Sequence, residues 1–275
     1  MGEKAILYDG SKCTACRGCQ AACKQWNDLS GEETTNRGSY ENPANLSVDT
    51  WLKMEFKEVS RNGNGSVAWL FNRRSCMHCT DAGCVMVCPT GALYHHELGF
   101  VAYDKDLCSG CGYCLEACPF DVPRRSGNTI TGVGKMDKCT FCQDRVTQGL
   151  EPACVKSCPP GALSFGERGE LLIEANKRVQ ALKAIRDPVT GEALYPNATL
   201  YGDTQLDGLH VLYVLPDSID KYDSLPASPK VSDIATAWQR YLQPVGYAVV
   251  GTVAVGLLLN FMVARARMIQ EKEGK

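Results

Sequence analysis

The sequence predicts an α+β fold in which two pseudo-symmetric modules carry inserts and a single transmembrane helix closes the chain. Three observations predict it. All sixteen cysteines sort into four runs of four with none left over. Two stretches of the chain recur, little changed, further along. From Tyr241 to Ala264 there is no charged residue.

Composition narrows the chemistry. Lys and Arg number 29 against 31 Asp and Glu, a net charge of −2, so no basic face is offered to nucleic acid. Cysteine is the outlier, at sixteen residues against four histidines. A disulfide framework belongs to short secreted chains with a signal peptide. The opening MGEKAILYDGSKC has no apolar run before Cys13 and reads as lacking a classical signal. Structural zinc pairs two C-x2-C knuckles or mixes Cys with His, and does not crowd thiols in threes and fours. Iron–sulfur clusters are the reading that fits both the count and the crowding.

The first run is Cys13, Cys16, Cys19 and Cys23, and the second is Cys76, Cys79, Cys84 and Cys88. The third is Cys108, Cys111, Cys114 and Cys118, and the fourth is Cys139, Cys142, Cys154 and Cys158. The third, CSGCGYCLEACP, has the bacterial ferredoxin spacing C-x2-C-x2-C-x3-C-P. The first repeats it with Lys24 in place of the proline, and the other two each widen one gap. Thiols three apart on a short loop reach three corners of one cube. The fourth sits on the departing helix, points away, and in two-cluster ferredoxins ligates the other cube. Small loop residues such as Gly110 and Gly112 let backbone N–H groups approach the sulfurs, and Pro89, Pro119 and Pro159 restrict the chain where it leaves.

The repeat follows the runs. LYDGSKCTACRGCQAAC (7–23) recurs as AYDKDLCSGCGYCLEAC (102–118), and CPTGAL (88–93) recurs as CPPGAL (158–163). Runs one and three are one kind of half, and runs two and four the other. Two modules result, and nesting the fourth run against the first makes the first module discontinuous.

The remaining elements are legible in order. LKMEFKEV (52–59) alternates apolar and charged residues like a half-buried strand, RNGNG (61–65) signals a turn, and SVAWLF (66–71) pairs back. This hairpin insert either covers the clusters or packs on a partner. Residues 170–186 put Leu171, Leu172, Ala175, Val179, Leu182 and Ile185 on one helical stripe suited to core packing. Asp187–Gly208 is rich in turn residues, HVLYVL (210–215) reads as a short strand, and SLPASPK (224–230) as a stiff polar linker. The uncharged stretch is long enough for a bilayer core of about 20 residues. Trp238, Tyr241 and Tyr247 stand where an aromatic belt would sit, and Pro244 fits a first helical turn. Gly246, Gly251 and Gly256 permit close packing of a membrane partner. Arg265, Arg267, Lys272 and Lys275 follow, against the sparser Lys230 and Arg240 upstream, which puts the C-terminus in the cytoplasm; Glu271 and Glu273 dilute that bias.

His78, His95, His96 and His210 read as surrounding or surface residues, because the cysteines already complete every cube. Arg73, Arg74, Arg124, Arg125, Lys138 and Lys156 flank the cysteines; they raise cluster potentials, bind a partner, or are ordinary solvated side chains. GNG at 63–65 lacks a G-x-G-x-x-G pattern, so no nucleotide site is expected, and no catalytic constellation is visible.

With QWNDL (25–29), YENPANLS (40–47), CMHCTDAGC (76–84), EPACVKSCPPGAL (151–163) and HVLYVL added, the chain resembles the iron–sulfur subunits of molybdopterin enzymes of the dimethyl-sulfoxide-reductase class. Within that class it is similar to the β subunits of respiratory formate dehydrogenases. The resemblance implies four [4Fe–4S] clusters. Cluster 1 would use Cys13, Cys16, Cys19 and Cys158, and cluster 4 Cys139, Cys142, Cys154 and Cys23. Cluster 2 would use Cys76, Cys79, Cys84 and Cys118, and cluster 3 Cys108, Cys111, Cys114 and Cys88. Residues 1–23 and 124–169 would form the first module, with clusters 1 and 4, and 76–123 the second, with clusters 2 and 3. Residues 24–75 would be the hairpin insert, 170–237 a helix with an extended segment, and 238–275 the anchor and tail.

The resemblance also implies partners. Formate would be oxidised in a catalytic α subunit holding a molybdenum or tungsten bis-pterin, not in this chain. Electrons would pass through clusters 1, 4, 2 and 3 to a membrane cytochrome b (γ) subunit and quinone. The cluster domain would stand on the periplasmic face of the bacterial inner membrane, exported already folded with a twin-arginine partner. The alternative is the equivalent subunit of a membrane hydrogenase or another molybdopterin oxidoreductase, separable by the catalytic chain that co-purifies. A zinc protein or redox-independent scaffold is separable by metal analysis.

Overall fold

A computed structural model of the chain describes residues 2–61, 66–127, 134–237 and 241–274, in two compact units, Met1–Val231 and Ser232–Lys275. The strands of the larger unit are β1 (Lys4–Asp9), β2 (Lys53–Arg61), β3 (Ser66–Arg74), β4 (Leu93–His95), β5 (Val101–Tyr103), β6 (Arg124–Arg125), β7 (Met136–Asp137), β8 (Leu163–Glu167), β9 (Thr199–Tyr201) and β10 (Val211–Leu215). Its helices are α1 (Gly18–Trp26), the single turns α2 (Gly83–Met86), α3 (Tyr113–Glu116), α4 (Gln143–Val146) and α5 (Ala153–Lys156), and the long α6 (Arg168–Ala184).

The main sheet has the order β8–β1–β10–β9. β1 and β10 run parallel, with Ile6 opposite Val211 and Tyr8 opposite Tyr213, and β8 and β9 pair antiparallel at the edges. Period-two alternation sorts the two faces. Ala5 and Leu7 of β1 and Leu212 and Val214 of β10 meet Leu171, Ala175, Val179 and Leu182 of α6. Ile6 and Tyr8, with Val211, Tyr213 and Leu215, turn to the opposite core, which also holds Cys23, Cys76, Cys139 and Cys154. Covered on both faces, β10 needs an unbroken apolar run, which is why HVLYVL does not alternate. Each fully buried aliphatic side chain there contributes about 1.5–3 kcal/mol.

Three expectations are corrected here. The α6 stripe ends at Leu182, because Ile185 lies past the helix with extended backbone (φ −68°, ψ 128°) and is 38% exposed; Leu172 is only partly buried. Asp187–Gly208 is not all turn: it contains β9, and Ala198 and Tyr201 are buried. SLPASPK is not a free spacer. Leu225 and Pro229 are buried, and the Tyr201 hydroxyl donates to the Pro226 carbonyl at 2.8 Å.

β2 and β3 form the expected hairpin, with Phe56 opposite Phe71 and Glu58 opposite Trp69; residues 62–65 of the turn lie outside the described residues. Tyr40, Phe56, Trp69 and Phe71 cluster on one side of it, with Arg17 over the Phe56 ring at 5.1 Å.

The smaller unit comprises α7 (Asp233–Ala237) and α8 (Gln243–Glu273). Within α8, Gln243–Ile269 is long and apolar enough to cross a membrane, and none of its apolar window is buried. Its 27 residues rise about 40 Å, more than the ~30 Å hydrocarbon core. Pro244 occupies the first turn, where its missing N–H costs nothing. Trp238, Arg240 and Lys275 lie outside the described residues, as does the side chain of Lys272.

Candidate functional site

Each cysteine run is carried by a loop whose backbone turns through the left-handed region. In the first run Ala15 (φ 52°) and Arg17 (φ 62°) take this conformation; in the third, Gly110 (φ 72°) and Gly112 (φ 85°) take it at the equivalent places of the repeat. His78 (φ 49°) in CMHC and Phe141 (φ 62°) in CTFC match in the same way. The geometry therefore persists where the residue is not glycine, at a cost of about 1–2 kcal/mol for each such residue. What it achieves is to aim N–H groups at sulfur. The Ala15 N–H lies 3.3 Å from Cys13 Sγ and the Phe141 N–H 3.5 Å from Cys139 Sγ.

The fold then gathers cysteines that are distant in sequence. Cys13, Cys16, Cys19 and Cys158 line one small cavity, with Tyr8, Met54 and Leu163. Cys23, Cys139, Cys142 and Cys154 line a second, with Trp51, Arg73 and Phe141. α1 and α5 pack together between the two, so that Cys23 on α1 faces the second cavity and Cys158, just past α5, closes the first. A third set is Cys76, Cys79, Cys84 and Cys118: after burial, the other three thiols of this set are what raise Cys79. A fourth is Cys88, Cys108, Cys111 and Cys114, related in the same way through Cys114.

Burial dominates the electrostatics. It pushes the Cys19, Cys114 and Cys142 thiols up to about 12 and Cys118 to about 11, with neighbouring thiols adding to the rise. Cys108 alone is lowered: burial raises it, but the Met136 and Gly110 N–H groups and the Tyr103 hydroxyl outweigh that. Buried thiols that repel one another as thiolates are suited to a polycationic core that takes up their charge. Among the described residues no three His, Cys, Asp or Glu close tightly enough for a single metal ion. The first two sets instead line cavities, as a polynuclear group requires. A donor faces such a group in the second cavity: Arg73 Nε is buried there without a protein partner.

The histidines stay out of both cavities. His78 and His210 are core residues, His78 Nδ1 lying 3.1 Å from the Val101 carbonyl and His210 Nδ1 2.8 Å from the His78 carbonyl. His95 is exposed and His96 stacks on Phe100. The six basic residues, indistinguishable in sequence, separate. Arg74 and Arg124 share the Asp121 carboxylate at 2.9 and 2.7 Å, Arg125 donates to the Gly110 carbonyl, and Lys156 is exposed. Arg73 and Lys138 are fully buried. Nothing in the sequence marks those two, because their burial is decided by strands far apart along the chain: the Tyr213 hydroxyl of β10 donates to the Arg73 carbonyl, and Lys138 reaches the Val101 carbonyl of β5.

Comparison with known proteins agrees with the chemistry. The family described as a 4Fe–4S dicluster domain matches residues 67–168. The nitrate-inducible formate dehydrogenase iron–sulfur subunit of Escherichia coli (strain K12) is 39% identical over 263 residues, covering 94% of this chain and 85% of that protein. The formate dehydrogenase-O iron–sulfur subunit of the same organism is 40% identical over 252 residues (90% and 79%), and the formate dehydrogenase iron–sulfur subunit of Haemophilus influenzae 37% over 275 (98% and 84%). Identity at this level, running nearly end to end and through every cysteine run, decides the family: the chain belongs to the iron–sulfur subunits of formate dehydrogenase, which transfer electrons and leave the oxidation of formate to a separate subunit.

Proposed function

We propose that this subunit holds four [4Fe–4S] clusters, one in each cysteine set. Cys13, Cys16, Cys19 and Cys158 ligate cluster 1, and Cys139, Cys142, Cys154 and Cys23 cluster 4. Cys76, Cys79, Cys84 and Cys118 ligate cluster 2, and Cys108, Cys111, Cys114 and Cys88 cluster 3. Clusters 1 and 4 belong to a module made of residues 1–23 and 124–169, and clusters 2 and 3 to one made of 76–123. The observation that carries this reading is the exchange of fourth thiols: Cys158 lines the cavity of the first run and Cys23 that of the fourth. Bound there, the clusters supply reversible one-electron transfer. The chain supplies thiolates, N–H donors and a dry surround.

The entry and exit of electrons call for two further chains: a catalytic subunit with a molybdenum or tungsten bis-pterin, and a membrane cytochrome b. The apolar span Gln243–Ile269 supports anchoring by one helix, and Arg265 and Arg267 beyond its apolar centre support a cytoplasmic C-terminus with the larger unit on the outer face.

Iron and sulfide analysis of the intact complex tests the cluster count; about sixteen of each in this chain is expected. Cys158→Ser tests the exchange. Low-temperature EPR is expected to lose or alter the signal of the cluster held by Cys13, Cys16 and Cys19; a change confined to the cluster held by Cys139 and Cys142 would refute the assignment.

A further inference from the structure

Among the described residues of the larger unit, six charged side chains are buried: Asp9, Lys53, Arg73, Asp137, Lys138 and Arg145. A buried charge without a counter-charge costs several kcal/mol. Three of the six are answered inside the protein. Lys53 pairs with Glu41 at 2.5 Å, Asp9 with Arg178 at 2.8 Å, and Asp137 with Lys105 at 2.8 Å. Arg145, at the outer flank, donates to the Glu151 carbonyl and stacks over Trp26 at 4.2 Å.

Arg73 and Lys138 have no such answer. Each is 1% exposed, and among the described residues neither has a carboxylate oxygen within 4.0 Å. Arg73 lines the second cavity, with Nη2 3.6 Å from Cys154 Sγ, Nη1 donating to the Ser75 hydroxyl, and Nε buried without a partner. Its charge also acts on Cys19 of the first cavity. Lys138 Nζ donates to the carbonyls of Val101, at 2.8 Å, and Cys139, at 3.0 Å, which orients the ammonium but does not neutralise it. It lies between Cys139 of the second cavity and the core around Val101, against which Cys79 and Cys84 of the third set pack. The two cations thus stand at successive junctions of three cysteine sets.

A cluster carried by four thiolates is anionic and becomes more so on reduction, so a fixed cation beside it stabilises the reduced form. We propose that Arg73 and Lys138 are internal counter-ions of the clusters, Arg73 between clusters 1 and 4 and Lys138 between clusters 4 and 2, and that their charges raise the reduction potentials there. This rests on the four-cluster reading above. It makes both residues tuning residues for electron transfer, distinct from the ion-paired Arg74 and Arg124.

The test is an EPR-monitored redox titration of the purified complex, with iron and sulfide measured alongside. Arg73→Gln is expected to shift the reduction equilibria of clusters 1 and 4 about tenfold toward the oxidised form, roughly 59 mV for a one-electron couple. Lys138→Gln is expected to do the same to clusters 4 and 2. Arg73→Lys and Lys138→Arg, which keep the charge, stay within about threefold of the parent, as does the exposed-site control Lys156→Gln. Gln variants with full iron content and unshifted potentials overturn the proposal. Should Arg73→Gln fail to load, Lys138→Gln decides alone, because both cations flank cluster 4. A parent complex short of iron would instead sink the four-cluster reading, a different outcome from a fully loaded but unshifted variant.

Discussion

At the scale of single residues, packing around His210 shows how little freedom the core leaves. Gly99 has φ 92°, and a Cβ there would stand 2.2 Å from His210 Nε2, inside any tolerable contact. Gly99→Ala combines a left-handed penalty with overpacking and is expected to cost about 2–4 kcal/mol in chemical denaturation of the larger unit. The His210 ring is held below its ordinary pKa, chiefly by burial, against the opposing pull of the His78 carbonyl and of the Glu3 carboxylate 3.5 Å away. His78 is held down in the same way. The sign follows from linkage: protonation favours the unfolded chain, so stability is complete above about pH 6.5 and declines as pH falls from there toward the folded values. Denaturation curves from pH 7.5 to 5.5 are expected to show that decline, and His210→Gln to reduce its slope without removing it. Cysteine spacing made the four runs readable one residue at a time, since a short loop is a local object. The burial of Arg73 and Lys138 was not readable, because a long cationic side chain looks the same in sequence whether solvent or a distant strand covers it.

At the scale of elements, alternation and helical period gave the sheet and α6 their faces. Ala5, Leu7, Leu212 and Val214 on one side and Leu171, Ala175, Val179 and Leu182 on the other are what period two and period 3.6 predict. The pattern overreached by one turn at Ile185, since periodicity cannot register where backbone angles leave the helix. A paired substitution checks this: Leu182→Ala is expected to cost about 2–5 kcal/mol and Ile185→Ala under about 0.5 kcal/mol, compared by urea midpoints. β9 escaped notice because three residues are too few to alternate, and it exists as a strand only because the edge of β10 pairs with it. The docking of SLPASPK was likewise hidden, its polarity masking the two residues, Leu225 and Pro229, that hold it down.

At the scale of the whole molecule, the larger unit carries every cysteine and the smaller the apolar span. Removal of residues 232–275 is therefore expected to leave a folded, cluster-containing fragment that moves from the membrane to the soluble fraction on cell fractionation. A fragment that purifies without iron and sulfide would show instead that the anchor is needed for assembly. The repeat of the cysteine runs was legible because duplicated runs keep their loop conformations, as Ala15 and Gly110 do. The proposed division into two modules, the first discontinuous, rests on the cysteines alone.

The central position of β1 has a consequence for how the chain comes into being. Its two neighbours in the sheet, β8 and β10, begin at Leu163 and Val211. On a ribosome adding 5–20 residues per second, the first strand waits on the order of ten seconds before either flank exists. Throughout that interval Cys13, Cys16 and Cys19 wait for Cys158, the thiol that completes their cavity. The pocket whose residues are made first is therefore finished late, when the chain is nearly whole.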